Sequence, residues 1–186
     1  MVRDTPGQEE DNMLVERATK RPILVLEGAG GAQDPVRYHS AHANWSADST
    51  MLLWTVDGKW FPDYYTLVKI KDDQPAWKLD LLKTLQQTIL QLTRKAAPAM
   101  YAIKKAENAG NGSAYPEGFT VYVSADQDKT DHSIRLPLAV HAALTSNNKD
   151  LERRFTLESE LDGVVDEAGK FKATGFKLLR PGKARQ

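Results

Sequence analysis

The chain of 186 residues contains no cysteine. Disulfide bonds, thiolate nucleophiles and cysteine metal sites are therefore excluded. This absence does not fix the compartment, because a reducing cytosol and an oxidising periplasm both tolerate it. Net charge is lacking too: 25 basic residues balance 25 acidic ones, so no overall field favours nucleic acid or an anionic membrane. We expect no nucleic-acid partner.

Long hydrophobic runs are also absent. Apolar stretches such as residues 23–26 are far shorter than the roughly 18 residues of a membrane helix. We therefore expect no transmembrane segment. The first 20 residues lack the apolar core of a signal peptide and begin abruptly with polar residues. This favours an exported protein, periplasmic or extracellular, whose signal peptide has been removed, with a cytoplasmic protein as the alternative.

Only residues 77–107 show a helical period. Their apolar residues are spaced alternately by three and four positions, which predicts one continuous stripe along a helix. The stripe consists of Leu82, Leu85, Ile89, Leu92, Ala96, Ala99 and Ile103. Pro98 lies within it and removes a backbone donor, so we expect the helix to kink or split near Ala97.

The remaining apolar segments mostly alternate at period two, as strands do. Asp57-Gly58 predicts a two-residue hairpin turn, because both residues tolerate positive φ. Gly175 lies where the alternation changes phase, which predicts a β-bulge. Short links between the strands of the second half favour an antiparallel meander.

These patterns predict an α+β fold in which a curved antiparallel sheet of about seven strands packs on one long central helix. A two-layer sandwich with the helix at one end is the competing architecture. We expect a disordered tail over residues 1–20, a single domain over residues 21–180, and a basic tail over residues 181–186.

Residues 45–60 resemble the strand-turn-strand unit of propeller blades of the TolB and WD40 type. The match rests on the segment Trp45-Ser46-Ala47-Asp48-Ser49 with the strand that follows it, and on Asp57-Gly58-Lys59-Trp60. Ala47 stands where those families have proline. A propeller needs the unit to recur about every 40 residues, and one copy is present, so a propeller is rejected. The resemblance implies a hairpin and a bacterial exported protein, and it transfers no site residues.

No catalytic motif stands out. The glycine-rich residues 28–32 follow a strand but open no helix, so a flexible turn is favoured over a phosphate site. The four histidines, His39, His42, His132 and His141, are dispersed, and only the fold could assemble them with acids into a metal site. We identify no catalytic residue, no metal ligand and no cofactor.

Aromatic residues give the strongest indication of a binding surface. Exposed tryptophan and tyrosine beside charged residues can bind a protein or a glycan. The candidate binding residues are Trp45, Trp54, Lys59, Trp60 and Tyr64. The alternative is that these aromatic side chains pack in the core.

The sequence thus predicts a non-catalytic binding or interaction protein of the bacterial cell envelope. The alternative is a small hydrolase or metal-dependent enzyme with a site assembled from dispersed histidine and acidic residues. The ligand, the partner and the oligomeric state do not follow from the sequence.

Overall fold

A computed structural model of the chain describes residues 12–28, 40–58, 61–108, 119–125, 138–146 and 156–179. The chain divides into two compact units, Met1–Asp80 and Leu81–Gln186. The single domain over residues 21–180 stays a prediction. In chain order the elements are β1 (Asn12–Val15), β2 (Pro22–Leu26), β3 (Ser40–Trp45), β4 (Met51–Asp57), β5 (Pro62–Lys71), β6 (Gln74–Asp80), α1 (Leu81–Ala96), α2 (Pro98–Asn108), β7 (Phe119–Ala125), β8 (Leu138–Ser146), β9 (Thr156–Val165) and β10 (Phe171–Leu178).

The predicted α+β class with antiparallel strands is confirmed, but the single curved sheet of about seven strands on one long helix is wrong. The described strands form three smaller sheets. One is the hairpin β1-β2, and the others are four-stranded meanders of order β3-β4-β5-β6 and β10-β9-β8-β7. Within each meander every strand pairs in an antiparallel arrangement with its neighbour in sequence.

The first unit contains a strand within the segment predicted to be a disordered tail. Asn12–Val15 pairs with Pro22–Leu26, and the connection is closed by the amide of Glu16, which donates to the carbonyl of Arg21 at 2.9 Å. A strand of four residues is too short to show a clear alternation, so the sequence does not reveal it. Residues 1–11 and the predicted basic tail, residues 181–186, lie outside the described residues.

The hairpin β1-β2 covers one face of the first meander. Leu26 is buried in a cluster with side chains of the sheet, namely Leu52, Trp54, Val56 and Val68. Burial of each such side chain stabilises the fold by roughly 1.5–3 kcal/mol. The sheet residues of this buried cluster all belong to β4 or β5. The close packing of the hairpin on the sheet therefore does not extend to β3.

Strand β6 includes residues 77–80, which the sequence assigns to the start of the helix. Asp72 and Asp73 both have positive φ, 52° and 57°, as the central residues of a type I′ turn do. Aspartate tolerates this conformation because its short side chain bonds locally to the backbone. Trp77 consequently lies in β6 opposite Lys69, and the helix begins only at Leu81.

In the second unit the helix is split where the sequence predicts. Ala97 separates α1 from α2, because Pro98 has no amide hydrogen to donate to the preceding turn. Leu85 and Ile89 of the predicted stripe are fully buried, together with Leu81. The stripe is therefore confirmed at Leu85 and Ile89, whereas Ala96 and Ala99 are exposed, and the single long helix is not formed.

Helix α1 packs on the second meander and contacts both β7 and β10. These strands are the two edges of that sheet, so the helix spans its width. The predicted alternation is confirmed, since one face of the sheet buries Val121, Val123, Val140, Ala142, Leu157 and Leu161. On the other face of β9, Glu158 and Asp162 are exposed.

The β-bulge predicted at Gly175 is present. The register between β9 and β10 shifts between Ala173 and Gly175, and Phe176 then pairs with Leu161. Ala173 pairs with Gly163, over which the ring of Phe171 lies. A Cβ atom on Gly163 would stand 2.2 Å from the Cζ atom of Phe171. Packing therefore requires glycine at position 163.

We expect Gly163→Ala to lower the free energy of unfolding by about 1–3 kcal/mol, because the added methyl group overpacks the site. Phe171→Leu should remove the clash, so the double variant should lose less stability than the sum of the single variants. Urea unfolding of the four proteins measures this coupling. Strictly additive losses would show that the ring does not occupy the space above Gly163.

The buried residues of α1 are Leu81, Leu85, Ile89 and Thr93, and Thr93 is the polar one among them. Its side chain is fully buried, and among the described residues its hydroxyl has no hydrogen-bond partner. Thr88, on the same helix, donates its hydroxyl to the carbonyl of Thr84 at 2.8 Å. A buried hydroxyl without a partner costs free energy, whereas a bonded one contributes to stability.

We expect Thr93→Val to raise the free energy of unfolding by about 1 kcal/mol, since it replaces an unpartnered hydroxyl with a methyl group of similar size. Thr88→Val is the matched control. It should lower the free energy of unfolding or leave it unchanged, because it removes a bonded hydroxyl. Chemical denaturation gives both values. A loss of stability in Thr93→Val would mean that the hydroxyl is bonded in solution.

Candidate functional site

Of the predicted binding residues, Trp54 lies in the core. Its side chain is 7% exposed, and its indole Nε1 donates to the carbonyl of Glu27 at 2.9 Å. The carboxylate of Glu27 accepts a hydrogen bond from Lys78 Nζ at 2.8 Å. These two bonds attach the end of β2 to the sheet, so Trp54 serves packing and is not available to a partner.

Trp45 and Tyr64 are at the surface, 38% and 39% exposed. Trp45 pairs with Leu52 and Tyr64 with Val56, so both project from the same face of the sheet. The pairing places them four residues apart along β4, which is about 13 Å, with the buried Trp54 between their positions. The described residues therefore form no aromatic cluster of the predicted kind.

The remaining predicted features fall only partly within the described residues. Lys59 and Trp60 lie outside them, as do residues 29–32 of the glycine-rich segment. Gly28 is described and has a φ of 98°. A Cβ atom there would meet the ring of Tyr64 at 2.2 Å, so the tyrosine packs on this glycine.

The histidines form no site in the described part of the chain. His42 Nε2 lies 3.2 Å from Asp57 Oδ2, with both side chains exposed. His141 lies in β8, while His39 and His132 fall outside the described residues. No group of three or more histidine or acidic side chains able to hold a metal ion is found among the residues that the structure describes.

Strand β3 is the most accessible element of the first unit. All six of its residues are exposed. It is an edge of its meander, paired with β4 on one side, and no described strand lies on its other side. An edge strand in this state presents unpaired backbone donors and acceptors.

The pairing identifies which backbone groups of β3 point away from β4. The amide of Ser46 donates to the carbonyl of Met51 at 2.9 Å, so these two residues form a hydrogen-bonded pair. Bonded and non-bonded pairs alternate in an antiparallel ladder. His42 and Asn44 therefore bond to β4, and the residues between and beside them point their amide and carbonyl groups away from the sheet. These outward groups belong to Ala41, Ala43 and Trp45, and no described strand pairs with them.

The other meander edges carry features that prevent strand addition. Strand β6 contains Pro75 and Lys78, and β10 contains Lys172, Lys177 and a bulge. Strand β7 is contacted by α1, whose Gln86 donates Nε2–H to the carbonyl of Val121 at 3.2 Å. Natural sheets use charge, proline, bulges and covering helices in this way to block edge-to-edge pairing.

Strand β3 has none of these features. Its sequence, Ser-Ala-His-Ala-Asn-Trp, contains no proline, lysine, arginine or carboxylate, and its ladder with β4 shows no register shift. We therefore regard Ala41, Ala43 and Trp45 as the candidate binding edge. The sequence does not single out the two alanines, because edge position follows from sheet order and not from residue type.

The turn after β3, residues 46–50, is held by hydrogen bonds to the carboxylate of Asp48. Asp48 Oδ1 accepts a hydrogen bond from the Ser46 hydroxyl at 2.6 Å and from the Thr50 amide at 3.1 Å. The Thr50 hydroxyl also donates to Asp48 and accepts from Lys69 Nζ at 3.0 Å. The Ser46 hydroxyl bond and the Thr50 bonds lower the pKa of Asp48 from 3.8 to about 2, with a smaller contribution from the charge of Lys69.

Comparisons of the chain with protein families, curated proteins and solved structures find no match. In the part of the chain that the structure describes, no helix is both long enough and apolar enough to span a membrane.

The Asp48 carboxyl should titrate with a midpoint near 2 in the folded protein. Because this pKa is lowered, the stabilisation is complete above pH 3.8 and is lost as the pH falls toward 2. Ser46→Ala should raise the midpoint toward 3.8, since it removes the largest cause of the shift. Carboxyl-carbon NMR titration measures both, and a wild-type midpoint of 3.8 would contradict the turn geometry.

Proposed function

We propose that this protein is a non-catalytic interaction protein that binds a partner polypeptide by strand addition at β3. The observation that carries the proposal is the edge strand itself: all six residues of β3 are exposed. Amide and carbonyl groups that point away from the described sheet alternate along it with groups that bond to β4. An added strand would pair with these groups as one more strand of the sheet.

Trp45 supports the proposal as an anchor. It lies at the end of β3, projects from the face that carries Ala41 and Ala43, and is 38% exposed. Main-chain hydrogen bonds give affinity in strand addition, while side chains on alternate positions give specificity. Aromatic side chains on such a surface often supply much of the binding energy.

Location in the bacterial cell envelope belongs to the same proposal. It rests on the resemblance of residues 45–60 to the strand-turn-strand unit of propeller blades. Fractionation of the native cells tests it directly. The alternative of a small hydrolase or metal-dependent enzyme has less support, because the described pair His42 and Asp57 has no third metal ligand among the described residues.

The experiment replaces Trp45 with the photoreactive amino acid benzoylphenylalanine and irradiates the native cells. Tyr64, which is 39% exposed on the same sheet face, is the matched control position. We expect a covalent adduct from position 45 and not from position 64. A second change, Ala43→Pro, should abolish the adduct, because proline removes an outward amide while leaving the bonds to β4 in place.

Two results would contradict the proposal. The first is the absence of any adduct at position 45. The second is an adduct that persists in the Ala43→Pro chain while circular dichroism shows that the chain is folded. Ala47→Pro is the matched control for Ala43→Pro and should leave the adduct intact. Ala47 is exposed and is the second residue of the turn after β3, a position that suits proline.

A further inference from the structure

The free edge of β3 fits a second copy of itself. We propose that two copies of this protein associate through antiparallel pairing of their β3 strands about a two-fold axis at Ala43. The inference rests on the proposed function, because it names the partner that the same edge receives. It joins two four-stranded sheets into one continuous sheet of eight strands.

The backbone groups determine this register. Residues with outward amide and carbonyl groups must face each other across the new ladder. A two-fold axis at Ala43 pairs Ala43 with its own copy, and pairs Ala41 with Trp45 of the other chain. Each of these three pairings exchanges two hydrogen bonds, about six in total. The whole of β3 is used, and every outward group on it gains a partner.

The side chains are complementary in the same register. Ala41, Ala43 and Trp45 project from one face of the sheet, so the indole of each chain lies beside the methyl group of Ala41 of the other. A large side chain thus faces a small one twice. On the opposite face His42 lies opposite Asn44 of the second chain, and the two can form a hydrogen bond.

Charge also favours self-pairing. A strand that pairs with its own copy brings any charged residue near an identical charge, which destabilises the pair. Residues 40–45 contain no lysine, arginine or carboxylate. The three other meander edges are protected by charged residues, by a proline, by a bulge or by α1. Because β3 alone lacks such protection among the described meander edges, we infer that it is used.

The test exploits the two-fold axis at Ala43. Ala43→Lys or Ala43→Glu alone would place like charges opposite each other, so each variant should weaken dimerisation by more than about tenfold. An equal mixture of the two variants should dimerise again, because opposite charges then meet. Sedimentation velocity over about a hundredfold concentration range measures the dissociation constants. Ala47→Lys and Ala47→Glu, in the exposed turn, are the controls and should dimerise as the wild type does.

A second variant makes the test independent of charge. The chain has no cysteine, so Ala43→Cys introduces its only thiol. In the proposed pair the two Cα atoms lie about 5.5 Å apart, within the range that a disulfide spans. Oxidised glutathione should then produce a covalent dimer from Ala43→Cys and not from Ala47→Cys.

The inference is overturned if the wild type stays monomeric, if the Ala43→Lys and Ala43→Glu chains dimerise unchanged, or if their mixture does not recover. The photo-crosslinking experiment separates this failure from failure of the proposed function. An adduct of twice the 20.7 kDa chain mass supports the dimer. An adduct of another mass with a monomeric wild type retains the proposed function and rejects the dimer, and no adduct rejects both.

Discussion

The first unit depends on the packing of the hairpin β1-β2 over one face of its meander. Leu26 closes a cluster with side chains of β4 and β5, and Trp54 fastens the hairpin by donating its indole hydrogen to the carbonyl of Glu27. Without this cover, the apolar face of β4 would be open to water. The cover is only two strands wide, and the buried cluster under it draws on β4 and β5. Strand β3 therefore remains exposed beside it.

This geometry connects the core to the proposed function. On β3, the face of the sheet that the hairpin covers carries only small alanines and Trp45 at the end of the strand. A partner strand can approach the edge because β3 contains no lysine, arginine, carboxylate or proline that would oppose it. The tight turn at Asp48 holds β3 in register with β4, so the binding groups are positioned before a partner arrives. Such preorganisation lowers the entropy cost of association.

Local patterns in the sequence predict much of the second unit. Period-two alternation identifies β7 to β10, Pro98 marks the break between the helices, and Gly175 marks the bulge. In each case the signal is local, because alternation, the missing amide hydrogen of Pro98 and the phase change at Gly175 involve only neighbouring residues. The first unit is harder, because β1 is too short to alternate and Asp72-Asp73 forms a turn without glycine. The sequence also cannot separate buried Trp54 from exposed Trp45, since that depends on which strands the hairpin covers.

The central claim is that alternate backbone groups of β3 are free for pairing, and amide hydrogen exchange observed by NMR tests it most directly. In dilute solution the amides of His42 and Asn44 should be protected by β4, while those of Ala41, Ala43 and Trp45 should exchange rapidly. At high concentration the amides of Ala41, Ala43 and Trp45 should become protected as well, because they then bond to the second chain. Equal protection of all five amides at every dilution would contradict the account, because it would mean that the edge is already covered within one chain.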